Sequence, residues 1–423
     1  MVNAGTATVD ITPPLGTLIP GLFHERRAEV INDPLFARSF VLEKEGAGIA
    51  VVVCDLIGVK RKYLDRAREQ IVKEIGLPQE RILICCTHTH TGAQTGEDAY
   101  TEFLIQRIAD CARLGWEARK PALIGWGRTD EDRVIFNRRF KMKDGTVRTN
   151  PGMGNPDVVE TAGPVDPEVG ALFVESEDGT PRGVLANYGL HYVGGGDHQR
   201  AVSADYFGMF GEKLQQLKGE SFVAALSNGA CGDINNHDVL GKGRNPNDRY
   251  QHTERVAALI AANVFWIWNG IERQADFAMD GAMKEVMLQR KPGPTEEEVA
   301  RAKEIEAGGA ERMGERAFSR RILERMKGVE EAVPAWVQAI KIGDLGLVGV
   351  PGELLVRLGL NIKKRSPFGQ TMILELANDS LGYLPDKKAF EEGGYESEAS
   401  LFRPGVGEQI ADVAVELLCR IKE

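Results

Sequence analysis

Arg81-Ile82-Leu83-Ile84-Cys85-Cys86 runs directly into Thr87-His88-Thr89-His90-Thr91-Gly92. The first stretch is short, apolar and β-leaning, so it reads as a buried strand. The two histidines then fall where that strand gives way to a loop, and open α/β sheets carry their chemistry at such ends. In extended backbone, residues two apart project to the same face, so His88 and His90 can present both imidazoles to one point, as a metal site needs. The chain holds seven histidines in all, and two of them lie within these four positions among small hydroxyl residues and glycine. The pair needs further partners from elsewhere in the chain.

A length of 423 residues suffices for a large core, and the formal charge of −10 argues against nucleic acid or an anionic membrane as the main partner. A small-molecule substrate fits better, and a homo-oligomer is compatible with this composition. The start, Met1-Val2-Asn3-Ala4-Gly5-Thr6, lacks the basic and apolar regions of a secretory signal. No run reaches the ~18 apolar residues of a membrane span, so a cytoplasmic location is expected. The six cysteines show no paired spacing and read as reduced, with Cys231 set apart by its glycine-rich surroundings.

Taken in order, Ala4 to Ile11, Arg38 to Glu43 and Gly48 to Asp55 read as strands, and Lys62 to Ile75 as a helix ended by Gly76 and Pro78. Tyr100 to Glu117 repeats helical spacing, and Ala122 to Gly127 resumes strand character. Residues 137–163 lose periodicity and fill with Gly, Pro, Asn and basic residues, including Arg138, Arg139 and Arg148, so an irregular loop beside the substrate is expected. Gly183 to Tyr188 is a strand leading into His191. Ser203 to Gly208 introduces a helix, and Ser221 to Leu226 ends in a Gly- and Asn-rich turn from Ser227 to Asp238. Such backbone can aim N–H groups at an oxyanion. Residues 292–328 form a charged, helical insertion; Trp336 to Gly343 and Leu345 to Val350 form a hairpin running into Glu353; Met372 to Ala377 is a last central strand before Tyr383.

His88, His191 and Glu353 each follow an apolar strand, and Tyr383 lies just past a fourth. Imidazole and carboxylate are good zinc ligands, and three protein ligands with an open position make water nucleophilic near neutral pH. A tyrosinate is a chemically sound further ligand, because a cation lowers the phenol pKa.

From Asp10-Ile11-Thr12-Pro13 to about Phe402 the chain resembles the catalytic domain of the neutral ceramidase family. The resemblance rests on Thr87 to Gly92, the histidine after Asn187-Tyr188, Ser203-Ala204-Asp205, the Asn228 to Asp233 turn, Val350-Pro351-Gly352-Glu353, and Asn378 with Tyr383 followed by Tyr395-Glu396. It implies an α/β fold of layered mixed β-sheets flanked by helices, in a single domain, and one Zn2+ per chain held by His88, His191, Glu353 and Tyr383. His90 would contact the substrate or hold a proton, and Tyr395 joins Arg138 and Arg139 as an expected substrate-binding residue. The family's turn reads GDVSPN, with a serine important for catalysis, whereas here Asn235 follows Gly232-Asp233-Ile234. Asparagine can donate to an oxyanion but cannot act as a nucleophile. Ceramidases of the family also carry a β-rich C-terminal domain, which is not expected within residues 1–423.

These residues together point to a zinc-dependent hydrolase acting on an amide, lactam or ester of a small polar molecule rather than ceramide, with His90 and Asp233 handling protons and Asn235 serving the oxyanion. Two alternatives stay open: a metal-dependent lyase or isomerase acting on a carbohydrate-like or carboxylate substrate, and a metal-binding protein without turnover.

Overall fold

The computed structural model describes residues 1–194, 200–241, 249–309 and 331–423, with 319, 320, 322, 323 and 326 between the last two stretches. Two β-sheets packed face to face carry helices on their outer sides. The larger sheet is built from β1 (Asn3–Asp10), β2 (Phe36–Lys44), β3 (Ala47–Cys54), β4 (Ile82–Cys86), β5 (Lys120–Asp130), β6 (Glu168–Ser176), β7 (Pro181–Tyr188) and β8 (Val223–Asn228), in the spatial order β8-β7-β6-β5-β1-β2-β3-β4. The smaller has β9 (Met279–Gln289), β10 (Ala332–Ile342), β11 (Leu345–Gly349) and β12 (Gln370–Leu374), in that order.

The alternation of side chains along a strand explains the layers. In β3, Val51 and Val53 face the smaller sheet and share a core with Leu345, Leu347, Met372 and Leu374. Ala50, Val52 and Cys54 face the opposite way, toward the helices. With both faces covered, the strand reads as a continuous apolar run rather than an alternating one. Each Val, Leu or Ile fully buried in these layers contributes roughly 1.5–3 kcal/mol.

Helix α1 (Arg61–Ile75) buries Tyr63, Leu64, Ala67 and Ile71 and stops at Gly76, whose φ of 72° closes the last turn by an N–H bond to Val72. Helix α2 (Ala99–Glu117) starts at Asp98, whose side chain accepts from the Thr101 N–H. Both cover the β1–β4 half of the larger sheet. Helices α3 (Asp205–Lys218) and α4 (Arg249–Gly270) cover its other half through Phe173, Val184 and Tyr188. Helix α5 (Glu296–Glu304) opens with a capping box between Thr295 and Glu298. Helices α6 (Val356–Arg365) and α7 (Val406–Lys422) cover the outer face of the smaller sheet. No helix among the described residues is long and apolar enough to cross a membrane.

Within these two sheets, three pairs of strands are parallel among the described residues: β3 with β4, β7 with β8, and β11 with β12. Each delivers its carboxyl ends to the loops that carry the candidate site, which is where parallel pairs leave room for a ligand.

Three expectations change in detail. Residues 137–163 are not irregular throughout, because Arg139–Met142, Val147–Thr149 and Val158–Thr161 form a small antiparallel sheet. Turns at Gly145, Gly152 and Gly154 hide it from periodicity arguments. The strand read from Met372 onward stands at the edge of the smaller sheet, and is apolar because it is covered on both faces. Of the charged insertion at 292–328, α5 and the turn Ile305–Gly309 are described, and most of the remainder lies outside the described residues.

Candidate metal centre

The strand β4 ends at Cys86, and the chain turns at once: the Thr87 N–H bonds to the Cys54 carbonyl and the His88 N–H to that of Leu56. His88 takes a φ of +69°, a left-handed conformation rare for a side chain of this size and stored here by the surrounding bonds. Asp205 holds the loop from behind, with its Oδ2 accepting from the hydroxyls of Thr89 and Thr91 at 3.1 and 3.0 Å.

The imidazoles of His88, His90 and His191 converge, all buried. His88 Nδ1 lies 2.8 Å from the Ile57 carbonyl and His90 Nδ1 lies 2.9 Å from that of Gly21. A carbonyl only accepts, so these contacts assign the proton to Nδ1 in both rings and leave a lone pair on each Nε2. His90 Nε2 sits 3.3 Å from His88 Nε2 and 3.1 Å from His191 Nε2. Two nitrogens bound to one zinc at the usual ~2.0–2.1 Å in tetrahedral geometry lie ~3.3 Å apart.

Glu353 completes the group. It is paired in parallel register with Tyr383, which places those two residues side by side at the ends of their chains. Its Oε2 lies 3.5 Å from His88 Nε2 and 3.7 Å from His191 Nδ1, yet has no hydrogen-bond partner although buried. An orphaned carboxylate oxygen among imidazole lone pairs is a donor set that fits a divalent cation.

The electrostatics agree. Burial pushes His90 down to about 3, aided by His88, and pushes His191 well below its ordinary value, aided by Arg138. Burial pushes Glu353 up, but His88 and Arg138 outweigh it and leave the carboxyl below its usual range. Neutral His90 and His191 beside an ionised Glu353 are protonation states that metal binding requires. Burial and Glu353 hold the Tyr383 phenol well above its ordinary value, opposed by Arg138, so it stays protonated in the absence of a cation.

Arg138 reaches the same place from the start of the small sheet. Its Nη2 donates to the Tyr383 hydroxyl at 3.1 Å and to the Gly232 carbonyl at 2.6 Å, and its Nε donates to Glu396 at 2.8 Å. Arg139 turns the other way, onto Glu396 and Glu392. Tyr395 packs edge-on against Tyr383, with ring centroids 5.4 Å apart. Asp233 accepts from the Val356 N–H at 2.8 Å and from Asn137 at 2.9 Å, one oxygen each. Asn235 donates to the Asn150 side-chain oxygen at 2.5 Å. His88, His90, His191, Glu353, Tyr383, Arg138 and Tyr395 are thus brought together, while Arg139 and Asp233 have their polar atoms engaged in the surrounding framework and Asn235 its amide nitrogen.

Three contributors escaped the sequence reading. Arg26 donates to the His90 carbonyl at 2.8 Å from a hairpin whose Leu18 and Arg27 form a bridge, and nothing in that stretch signals it. Glu396, quoted above only as part of the motif series and given no role there, bridges Arg138 and Arg139 with no exposed surface. Glu375, an acid at a strand end like Glu353, carried the signal that was used for its neighbour.

No family model matches the chain, and no curated protein matches it in sequence. Among solved structures, the neutral ceramidase of Pseudomonas aeruginosa aligns over 100% of this chain and 74% of its own, with a TM-score of 0.78 and 17% identity. A ceramidase complexed with C2 aligns over 100% and 75%, with a TM-score of 0.77 and 16% identity. The chain therefore has a neutral-ceramidase-like α/β fold, as the motif series implied.

Proposed function

We propose that this protein is a zinc-dependent hydrolase that cleaves an amide, lactam or ester bond of a small polar substrate with metal-activated water, residues 1–423 acting as one catalytic unit. The observation that carries the reading is the convergence of three imidazoles on the unpartnered, buried Oε2 of Glu353. The neutral-ceramidase-like fold supports hydrolysis of an amide in particular.

His88, His191, Glu353 and Tyr383 would hold the cation, which supplies Lewis acidity and a nucleophilic water when bound. Arg138, donating to the Tyr383 oxygen, favours the phenolate form that such a role requires. His90, with its lone pair at Nε2 fixed by the Gly21 carbonyl and facing the other two rings, would accept a hydrogen bond from the attacking water and orient it. We assign Asp233 to capping α6 and Asn235 to holding the turn, not to the chemistry.

The test is metal content per chain in wild type, His88→Ala and Glu353→Ala, followed by hydrolysis of amide and ester libraries in 18O-labelled water. About one zinc per wild-type chain, lost in both folded variants, with label entering the product acid, is the expected result. A wild type that takes up no metal from zinc dialysis sinks the reading; turnover without label points to a lyase instead.

A further inference from the structure

The backbone on either side of the Glu353 side chain is restrained at three points. The Glu353 N–H donates to the Gly382 carbonyl at 2.9 Å, the Leu354 carbonyl accepts from the Gly232 N–H at 3.0 Å, and the Leu354 N–H donates to Glu375 Oε1 at 2.5 Å. The first two are backbone contacts. The third comes from a side chain, and that side chain does more than close one bond. Glu375 Oε1 also accepts from the Cys231 N–H at 3.2 Å, and its Oε2 faces Cys231 Sγ at 3.3 Å.

Cys231 precedes Gly232, whose carbonyl holds Arg138. The packing there is close enough that a Cβ on Gly232 would lie 2.7 Å from the Glu353 carbonyl oxygen. Glu375 is itself without exposed surface, and its own N–H is anchored to the Asn228 carbonyl at 3.0 Å. A second carboxyl group buried beside a cation-binding one is an expensive choice for a core position. An apolar residue would avoid that repulsion but leave two buried N–H groups unpaired.

We infer that Glu375 is a positioning residue for the metal centre: its carboxyl group ties the Cys231-Gly232 turn to Leu354 and so sets where Glu353 and Arg138 meet the three histidines. This rests on the metal-dependent reading above. The requirement is for an acceptor that reaches two N–H groups at once, which a glutamine amide oxygen also meets, an aspartate falls one methylene short of, and an alanine lacks.

The experiment measures zinc affinity by chelator competition, and the visible spectrum after loading with Co2+, for the full chain and its E375Q, E375A and E375D variants. E375Q is expected within about threefold of wild type, and E375A weaker by about 10–100-fold, the usual effect of removing a group that orients a ligand, with a shifted cobalt spectrum. E375A with wild-type affinity and spectrum overturns the inference while leaving the metal centre intact. Should E375A fail to fold, E375D decides in the same way, with at least a tenfold loss expected and unchanged binding overturning it. A wild type that binds neither ion overturns the metal-dependent reading and this inference with it.

Discussion

The Gly21 carbonyl accepts a hydrogen bond from His90 Nδ1 at 2.9 Å, and a Cβ added to Gly21 would lie 2.5 Å from that same nitrogen. Gly21 also has a φ of +93°, a conformation that side chains rarely adopt. One residue thus fixes the tautomer of His90 and leaves the space that its ring occupies.

Gly21→Ala should therefore displace His90 as well as cost about 1 kcal/mol of backbone strain. Zinc affinity is expected to fall about tenfold, the scale of disturbing a residue that packs directly against the ligands His88 and His191. Isothermal titration of the metal-free variant checks it; an unchanged affinity would mean that the hairpin carrying Gly21 has no influence on the site.

Removing the cation should destabilise the protein without unfolding it, because the two sheets share a core away from the site. Metal present at a thousand times its dissociation constant stabilises the native state by about 4 kcal/mol. Thermal melts with and without a chelator are expected to show a lower but still cooperative transition for the stripped protein.

Acid should weaken the metal-free protein in a definite window. His90 is held at about 3 and His191 well below 6.5, so the unfolded chain binds more protons than the folded one as pH falls past 6.5. Stability that these rings supply above pH 6.5 is lost as pH drops toward 3. Asp55 and Asp233, raised by burial, act in the opposite sense, favouring the fold at low pH. Urea midpoints of chelator-treated protein should fall between pH 7 and 5, and fall less in His90→Asn; equal slopes for both proteins would remove His90 as a source.

Glu396 accepts from Arg138, Arg139 and the Thr149 hydroxyl, and all three charged groups are buried. Glu396→Ala takes the shared counter-charge from Arg138 and leaves Arg139 only Glu392, and should cost about 3–5 kcal/mol. Urea denaturation gives the value, and a loss below 1 kcal/mol would show that the network relaxes around the gap.

Asp205 combines a φ of +51° with the two threonine bonds that back the histidine loop. Asp205→Ala loses the acceptor and places alanine in a left-handed conformation, for an expected loss of about 2–3 kcal/mol. Asp205→Asn keeps an acceptor and tolerates that φ, so its loss should be less than half as large by the same measurement.

The strands were legible because their apolar runs are set by burial on two faces, and their ends were legible because histidine, glutamate and tyrosine followed them. His88, His191, Glu353 and Tyr383 were singled out on that local pattern and a motif series. The small sheet within 139–161 was not legible, since strands of a few residues joined by glycine turns leave no period to count. Nor could sequence distinguish Arg138 from Arg139. The two adjacent guanidinium groups diverge, one toward Tyr383 and one toward Glu392, and only the placement of Glu396 between them decides which meets the site.

By itself, then, the sequence determined the alternation of strands and helices and the residue types able to bind a cation, because both follow from local pattern, while the layered arrangement was what the resemblance of its motif series implied. The tertiary structure alone decided that loops from three parallel strand pairs meet at one point. It also decided that Asp233 is occupied by α6 and Asn137, and that Gly21 and Arg26 bond to His90 and Glu375 to Leu354 beside Glu353. Those relationships depend on which carbonyl or N–H comes within about 3 Å of which side chain, a distance that no spacing along the chain encodes.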